Sequence, residues 1–261
     1  MGICPNKLSN YLKKIVKKKG KFSFNKKTGK KIKALIAVHL YGFPCKINEI
    51  QKICKKYNLI LIEDAAEAFG SFYKKKHLGT FGDAGVLSFN GNKPITCGSG
   101  GAVITNNKHF SKKIKHLSTH AKVNDWYDHK HDEIGYNYRM NNLSAAVGCA
   151  QIEKIKTILK AKRKNFSWYE KAFKNLSGIK ILKEPKFSNT NYWLITGYLK
   201  NYKLKNKLLK TFKTRGFGFR TTWRPLHSLK IFKNCPKDNM SVSNDFFKKA
   251  ISFPSGPKIN F

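Results

Sequence analysis

The chain has 261 residues, 41% hydrophobic and 13% aromatic, which is enough apolar surface for a buried core and excludes a disordered segment. A formal net charge of +39 attracts polyanions, yet the excess is nearly all lysine spread along the whole chain, with arginine only at Arg139, Arg163, Arg215, Arg220 and Arg224. No DNA- or RNA-reading motif accompanies the charge, no apolar run reaches the roughly 18 residues of a membrane span, no secretory leader opens the chain, and the six cysteines form no C-x-x-C pair. A cytoplasmic protein with reduced thiols and no specific nucleic-acid or membrane partner is the expectation.

In chain order, Ala34 to His39 is a short apolar run that leaves into Tyr41-Gly42-Phe43-Pro44 and reads as a buried strand. Ile47, Ile50, Ile53 and Cys54 recur at helical spacing, and Leu59 to Ile62 is a second apolar run. Strand, helix, strand is a βαβ unit, so the sheet is at least partly parallel. Ala84 to Phe89 and Gly101 to Thr105 read as further strands, Asn106 to Leu117 as a helix, and Asn142 to about Phe173 as one long helix. After Gly178 come strands at 179–182 and 192–199 and a lysine-rich helix at 203–214. The division predicted is 1–141 as a larger α/β domain, 142–177 as a connecting helix and 178–261 as a smaller α+β domain.

Two positions stand out for chemistry. Asp64 closes the second strand, and in open α/β sheets ligands bind beyond the carboxyl ends of strands. Lys93 stands apart from the lysine runs, between an apolar strand and the glycines Gly98, Gly100 and Gly101. A desolvated lysine becomes a nucleophile towards carbonyls, whereas an ordinary loop lysine is only solvated; spacing alone leaves both readings open. The glycines meet neither phosphate-loop pattern and are read as places of close backbone approach. His129 and His131 lack partners at metal-ligand spacing, so no metal site is predicted.

The stretch "LIEDAAEAFGSFYKKKHLGTFGDAGVLSFNGNKPITCGSGGAVITNN" with "EIGYNYRMNNLSAAVGCAQIEKI" resembles the DegT/DnrJ/StrS family of pyridoxal-phosphate-dependent nucleotide-sugar aminotransferases, and "KTGKKIKALIAVHLYGFP" and "FRTTWRPLHSLKIFKNC" resemble its LegC-like branch. The resemblance implies an aminotransferase fold of type I: a large domain with a mostly parallel sheet, plus the smaller α+β domain. It implies pyridoxal phosphate as cofactor, a nucleotide-linked 4-keto-6-deoxy sugar as amine acceptor, an amino-acid donor, and a homodimer with shared sites, in glycan or nonulosonic acid biosynthesis. Residue by residue, Lys93 matches the Schiff-base lysine, Asp64 the carboxylate that pairs with the pyridine nitrogen, and Ser88 the hydroxyl that holds the cofactor phosphate. Glu67 falls at a position near the ring hydroxyl. Asn137 matches a residue that reaches the phosphate from the neighbouring subunit, and for Arg139, two residues on, a structural and a functional role both stay open. His39, Tyr41, Arg220 and His227 lie in family-like segments near where substrate is expected to enter, and a structural role for each stays open.

The match departs from the family at its start: residues 1–8 resemble a segment well inside the large domain, so the N-terminal part of that domain is absent from this sequence. That part supplies a helix N-terminus for the cofactor phosphate, an aromatic that stacks on the ring, and cover for the sheet. An uncovered sheet face is therefore expected. The readings carried forward are an aminotransferase and, as the alternative, a catalytically incompetent fragment or assembly partner of one.

Overall fold

The computed structural model describes residues 1–123 and 127–257. The first of two compact units comprises Met1–Lys156 with Phe187–Thr190. It opens with α1 (Pro5–Ile15), β1 (Val16–Lys19), β2 (Phe22–Asn25), β3 (Lys31–Ile32), β4 (Ala34–Val38), α2 (Ile47–Tyr57) and β5 (Ile60–Asp64). It continues through β6 (Phe72–Tyr73), β7 (Lys76–His77), β8 (Ala84–Ser88), β9 (Gly101–Ile104), α3 (Lys108–Ser118) and α4 (Asn142–Glu153).

The central sheet has the order β4-β5-β8-β9, parallel except for β9. One face is covered. Leu8 and Leu12 of α1, with Ile47, Ile50, Cys54 and Tyr57 of α2, pack on Ala37 and Leu61 to form the main core. Pro5 begins α1, where its missing amide hydrogen costs nothing, and Lys13 and Lys14 end it, where they complement the helix dipole. Asn58 stops α2 in a left-handed conformation, its amide donating to the carbonyls of Cys54 and Lys55.

Among the described residues the opposite face is exposed. Ile36 is 61% exposed, and Val38, Ile60, Val86 and Val103 are exposed beside it. The strand registers Ile36↔Ile62, Val38↔Asp64, Asp64↔Val86 and Val86↔Val103 put these residues on one side.

The helix expected over 142–173 is two helices, α4 and α5 (Ile155–Phe173), broken at Lys154. The apolar residues of α4 run round its whole circumference, whereas α5 buries one stripe that includes Phe166 and Tyr169, so the two halves face different packing. The second unit takes in Thr157–Lys186 and the residues from Asn191 on, so the divisions expected at 141 and 177 shift into α5; 258–261 of the expected C-terminal domain lie outside the described residues.

After α5 the chain forms β10 (Ile179–Ile181), β11 (Ser188–Asn189), β12 (Ile195–Leu199), α6 (Tyr202–Thr214), β13 (Arg220–Thr221), α7 (Ser241–Lys249) and β14 (Ala250–Phe253). Within the second unit, the antiparallel sheet β10-β12-β14-β13 is the α+β architecture expected. All six cysteines are free thiols. Among the described residues no helix is long and apolar enough to cross a membrane.

Candidate active site

Asp64 is the last residue of β5 and Ser88 the last of β8, both at carboxyl ends of neighbouring parallel strands. Asp64 opposes Val86, and Ser88 lies two residues further along β8, so both belong to the bare face. The Asp64 carboxylate accepts the Ala66 amide at 3.1 Å, and the Ser88 hydroxyl oxygen accepts the Asn90 amide at 3.3 Å.

Lys93 follows in a turn in which its own amide donates to the Asn90 carbonyl at 2.9 Å. The strand-turn-strand that carries it closes through Phe89 to the Gly100 carbonyl and Cys97 to the Phe89 carbonyl, each at 2.9 Å. Gly98 and Gly100 have φ of 82° and 98°, and a Cβ at Gly101 would sit 2.4 Å from the Leu87 carbonyl oxygen. The glycines serve left-handed turns and close backbone approach.

Partial burial holds the Lys93 amine below the usual lysine range, while the carboxylates of Glu67 and Asp64 pull in the opposite direction. Burial, with Asp64 adding to it, holds the Glu67 carboxyl above the ordinary range against the opposing effects of the Tyr41 amide and Lys93. The structure thus brings Asp64, Glu67 and Lys93 into one electrostatically coupled cluster. It offers an amine that loses its proton more readily than a surface lysine and an acid that keeps its proton more readily than a surface glutamate.

The other residues singled out in the sequence are placed differently. His39 and Tyr41 are 0% and 1% exposed, so neither side chain is open to a substrate in this chain. The Tyr41 backbone, at φ 59°, is what reaches the site: its amide donates to Glu67 Oε2 at 2.6 Å. Asn137 lies in an exposed segment, bridged to Thr119, with Arg139 also exposed. Arg220, in β13, and His227, hydrogen-bonded to Asn244 at 2.9 Å, belong to the second unit.

Sequence reasoning overlooked Glu63. It is 0% exposed, and its carboxylate accepts from His39 Nε2 and the Gly79 amide, both at 2.9 Å, and from the Phe81 and Gly82 amides at 2.5 and 2.6 Å. An acid on the covered face of a hydrophobic strand was the signal available, because such a charge must find several donors.

Residues 21–260 match the family described as the DegT/DnrJ/EryC1/StrS aminotransferase family. The chain is 36% identical over 235 residues to a GDP-perosamine synthase of Escherichia coli O157:H7, covering 88% of this chain and 62% of that protein. It is 33% identical over 234 residues to a UDP-4-amino-4,6-dideoxy-N-acetyl-beta-L-altrosamine transaminase of Campylobacter jejuni, again covering 88% and 62%. A solved structure of Helicobacter pylori PseC, described as an aminotransferase involved in the biosynthesis of pseudoaminic acid, superposes with a TM-score of 0.82 at 26% identity, over 88% of this chain and 63% of that one. The chain spans less than two thirds of the length of these relatives.

Proposed function

From the premise that the chain belongs to the DegT/DnrJ/EryC1/StrS aminotransferase family, whose solved members share its fold, the type I aminotransferase architecture, we propose that it acts as a pyridoxal-phosphate-dependent aminotransferase on a nucleotide-linked 4-keto-6-deoxy sugar. The observation that carries this reading is the coupled cluster of Lys93, Asp64 and Glu67 at the strand ends. The donor set suits the cofactor: an amine of lowered proton affinity for its aldehyde, a carboxylate for its ring nitrogen, and a strand-end hydroxyl for its phosphate. When bound, pyridoxal phosphate supplies an electron sink for the carbanion formed at the donor's α-carbon.

The residues of this chain do the rest. Lys93 Nζ would hold the cofactor's aldehyde, and its lowered proton affinity suits it to take up and return a proton at Nζ as general base and then acid. Asp64 would supply the carboxylate that pairs with the ring nitrogen and favours its protonated form. Glu67, kept on the site by the Tyr41 amide, presents a protonatable oxygen beside Lys93. Ser88 would hold the cofactor phosphate, and Asn137 of a second copy would add to that hold.

A homodimer is part of the proposal. Its support is the exposed apolar stretch around Asn137, where Ile134 and Leu143 are 83% and 84% exposed and Tyr136 stacks on Tyr138 with ring centroids 5.1 Å apart.

The test is to incubate the protein with pyridoxal phosphate, reduce with borohydride and map modified peptides by mass. Stoichiometric labelling at Lys93, lost in Lys93→Ala, supports the aminotransferase; scattered labelling over many lysines sinks it. The bare apolar sheet face favours a second reading, a fragment that assembles with a covering polypeptide before it acts. Under that reading, Lys93 is labelled only after such a polypeptide is added.

A further inference from the structure

β5 carries Asp64 towards the bare face and its neighbour Glu63 towards the covered one, because successive strand residues point to opposite sides. Glu63 ties three segments together. Through Gly79, Phe81 and Gly82 it holds the turn that lies against β8, where a Cβ at Gly85 would meet the Gly79 oxygen at 2.0 Å. Through His39 it holds the exit of β4, whose amide is also tied to the Asp64 carbonyl at 3.0 Å. The His39 ring passes the constraint on: its Nδ1 accepts the Cys45 amide at 3.1 Å, which folds residues 39–45 into a loop. With Nδ1 accepting that amide, Nε2–H is the group that donates to Glu63; burial would lower the imidazole's proton affinity, but the contacts with Cys45 and Glu63 outweigh it and raise it to about 9. Within that loop Tyr41 sits at φ 59°, a conformation that costs a tyrosine free energy unless its surroundings enforce it, and from there its amide reaches Glu67.

We propose that the Glu63–His39 pair is a positioning device on the far side of the sheet, holding the 39–45 loop so that the Tyr41 amide stays on the Glu67 carboxylate that faces Lys93. The proposal rests on the assignment of Lys93 and Glu67 to the active site. The titratable groups around this path are few. Lys93 faces Glu67 and Asp64; Glu67 faces Lys93 and Asp64; His39 faces Glu63 and Cys45. His77 lies within electrostatic range of Glu63 and His39, with its Nε2 accepting the Gly70 amide and its Nδ1–H donating to the Leu78 carbonyl. Burial holds its proton affinity below the ordinary histidine range. Burial would raise the Glu63 carboxyl, but the hydrogen bonds from His39, Gly82 and Gly79 outweigh it and hold it below the usual range, so it remains an acceptor at neutral pH.

Removing Glu63 itself strands three buried amides and an imidazole N–H, and such a variant is at risk of not folding. His39→Leu is the sharper probe, because Glu63 keeps its three amides. The readout is the apparent pKa of the Lys93 amine in the full chain, measured from the pH dependence of its acetylation by acetic anhydride and followed on the Lys93 peptide by mass. Circular dichroism melts confirm that each variant is folded.

With the Tyr41 amide loosened, Glu67 loses a donor to its ionised form, takes up a proton more readily and attracts Lys93 less. The Lys93 value should then fall in His39→Leu, and fall further in Glu67→Gln, which removes the carboxylate outright. The double variant should show no further fall, and His39→Gln, which can still donate to Glu63, should recover part of the loss. A folded His39→Leu with an unchanged Lys93, or an equal fall in the Glu67→Gln background, overturns the proposal. Pyridoxal labelling separates the two failures: Lys93 labelled normally beside a failed double-variant comparison rejects the positioning role alone, and Lys93 left unlabelled both alone and with a covering polypeptide added rejects the site assignment.

Discussion

Two lysines show how burial acquires different meanings from different neighbours. Lys93 is partly buried against the carboxylates of Glu67 and Asp64, which oppose its desolvation and make it a group that can exchange a proton within a site. Lys162, 4% exposed, donates instead to the Trp193 and Ser255 carbonyls at 3.2 and 2.8 Å, and burial brings it down to about 8. Between about pH 8 and the unfolded lysine value of about 10.4, the unfolded chain binds more protons at this position than the folded one. Stability contributed by Lys162 is therefore missing below pH 8 and rises through that window, by up to roughly 3 kcal/mol. Comparing melts of the protein with Lys162→Met isolates the effect from the many surface lysines: the protein should gain on the variant between pH 8 and 10. A constant difference would contradict the assignment.

At the scale of the element, the two faces of the central sheet should respond oppositely to substitution. Leu61 is 2% exposed beneath α1 and α2, and Leu61→Ala should cost about 2–5 kcal/mol in denaturant unfolding. Val86, on the bare face, should tolerate Thr within about 0.5 kcal/mol. The βαβ unit was legible because apolar runs of four or five residues flank a helix of regular apolar spacing. The three-stranded β1-β2-β3 sheet was not, because lysines occupy so much of it and lysine is a poor strand former. It is held by contacts that have no local signature. The Ser23 hydroxyl donates to the Tyr57 carbonyl at 2.6 Å, and the Asn25 side chain accepts the Lys27 and Thr28 amides at 2.9 and 3.2 Å.

Across the whole molecule, a bare apolar face and a net charge of +39 oppose one another. The apolar face draws molecules together, while the charge keeps them apart at low ionic strength and is screened within a few ångströms at high salt. Light scattering should therefore show association growing as salt is raised, and the pair Ile36→Lys with Val86→Lys should suppress it. Growth unaffected by those substitutions would place the sticky surface elsewhere. The same charge predicts adventitious retention on unrelated DNA that weakens steeply with salt.

The β4-α2-β5 unit and the strands β8 and β9 were readable from residue order, since apolar periodicity is a local property of the chain, while the expectation of an exposed sheet face and of Asp64, Glu67 and Lys93 as site residues came from the resemblance to relatives. The division of 142–173 into two helices, the burial of His39 and Tyr41, and the four donors on Glu63 were decided only by tertiary structure. Each depends on groups far apart in sequence meeting in a low-dielectric interior, where an unpaired charge or amide is costly and its partners are chosen by geometry, not proximity along the chain.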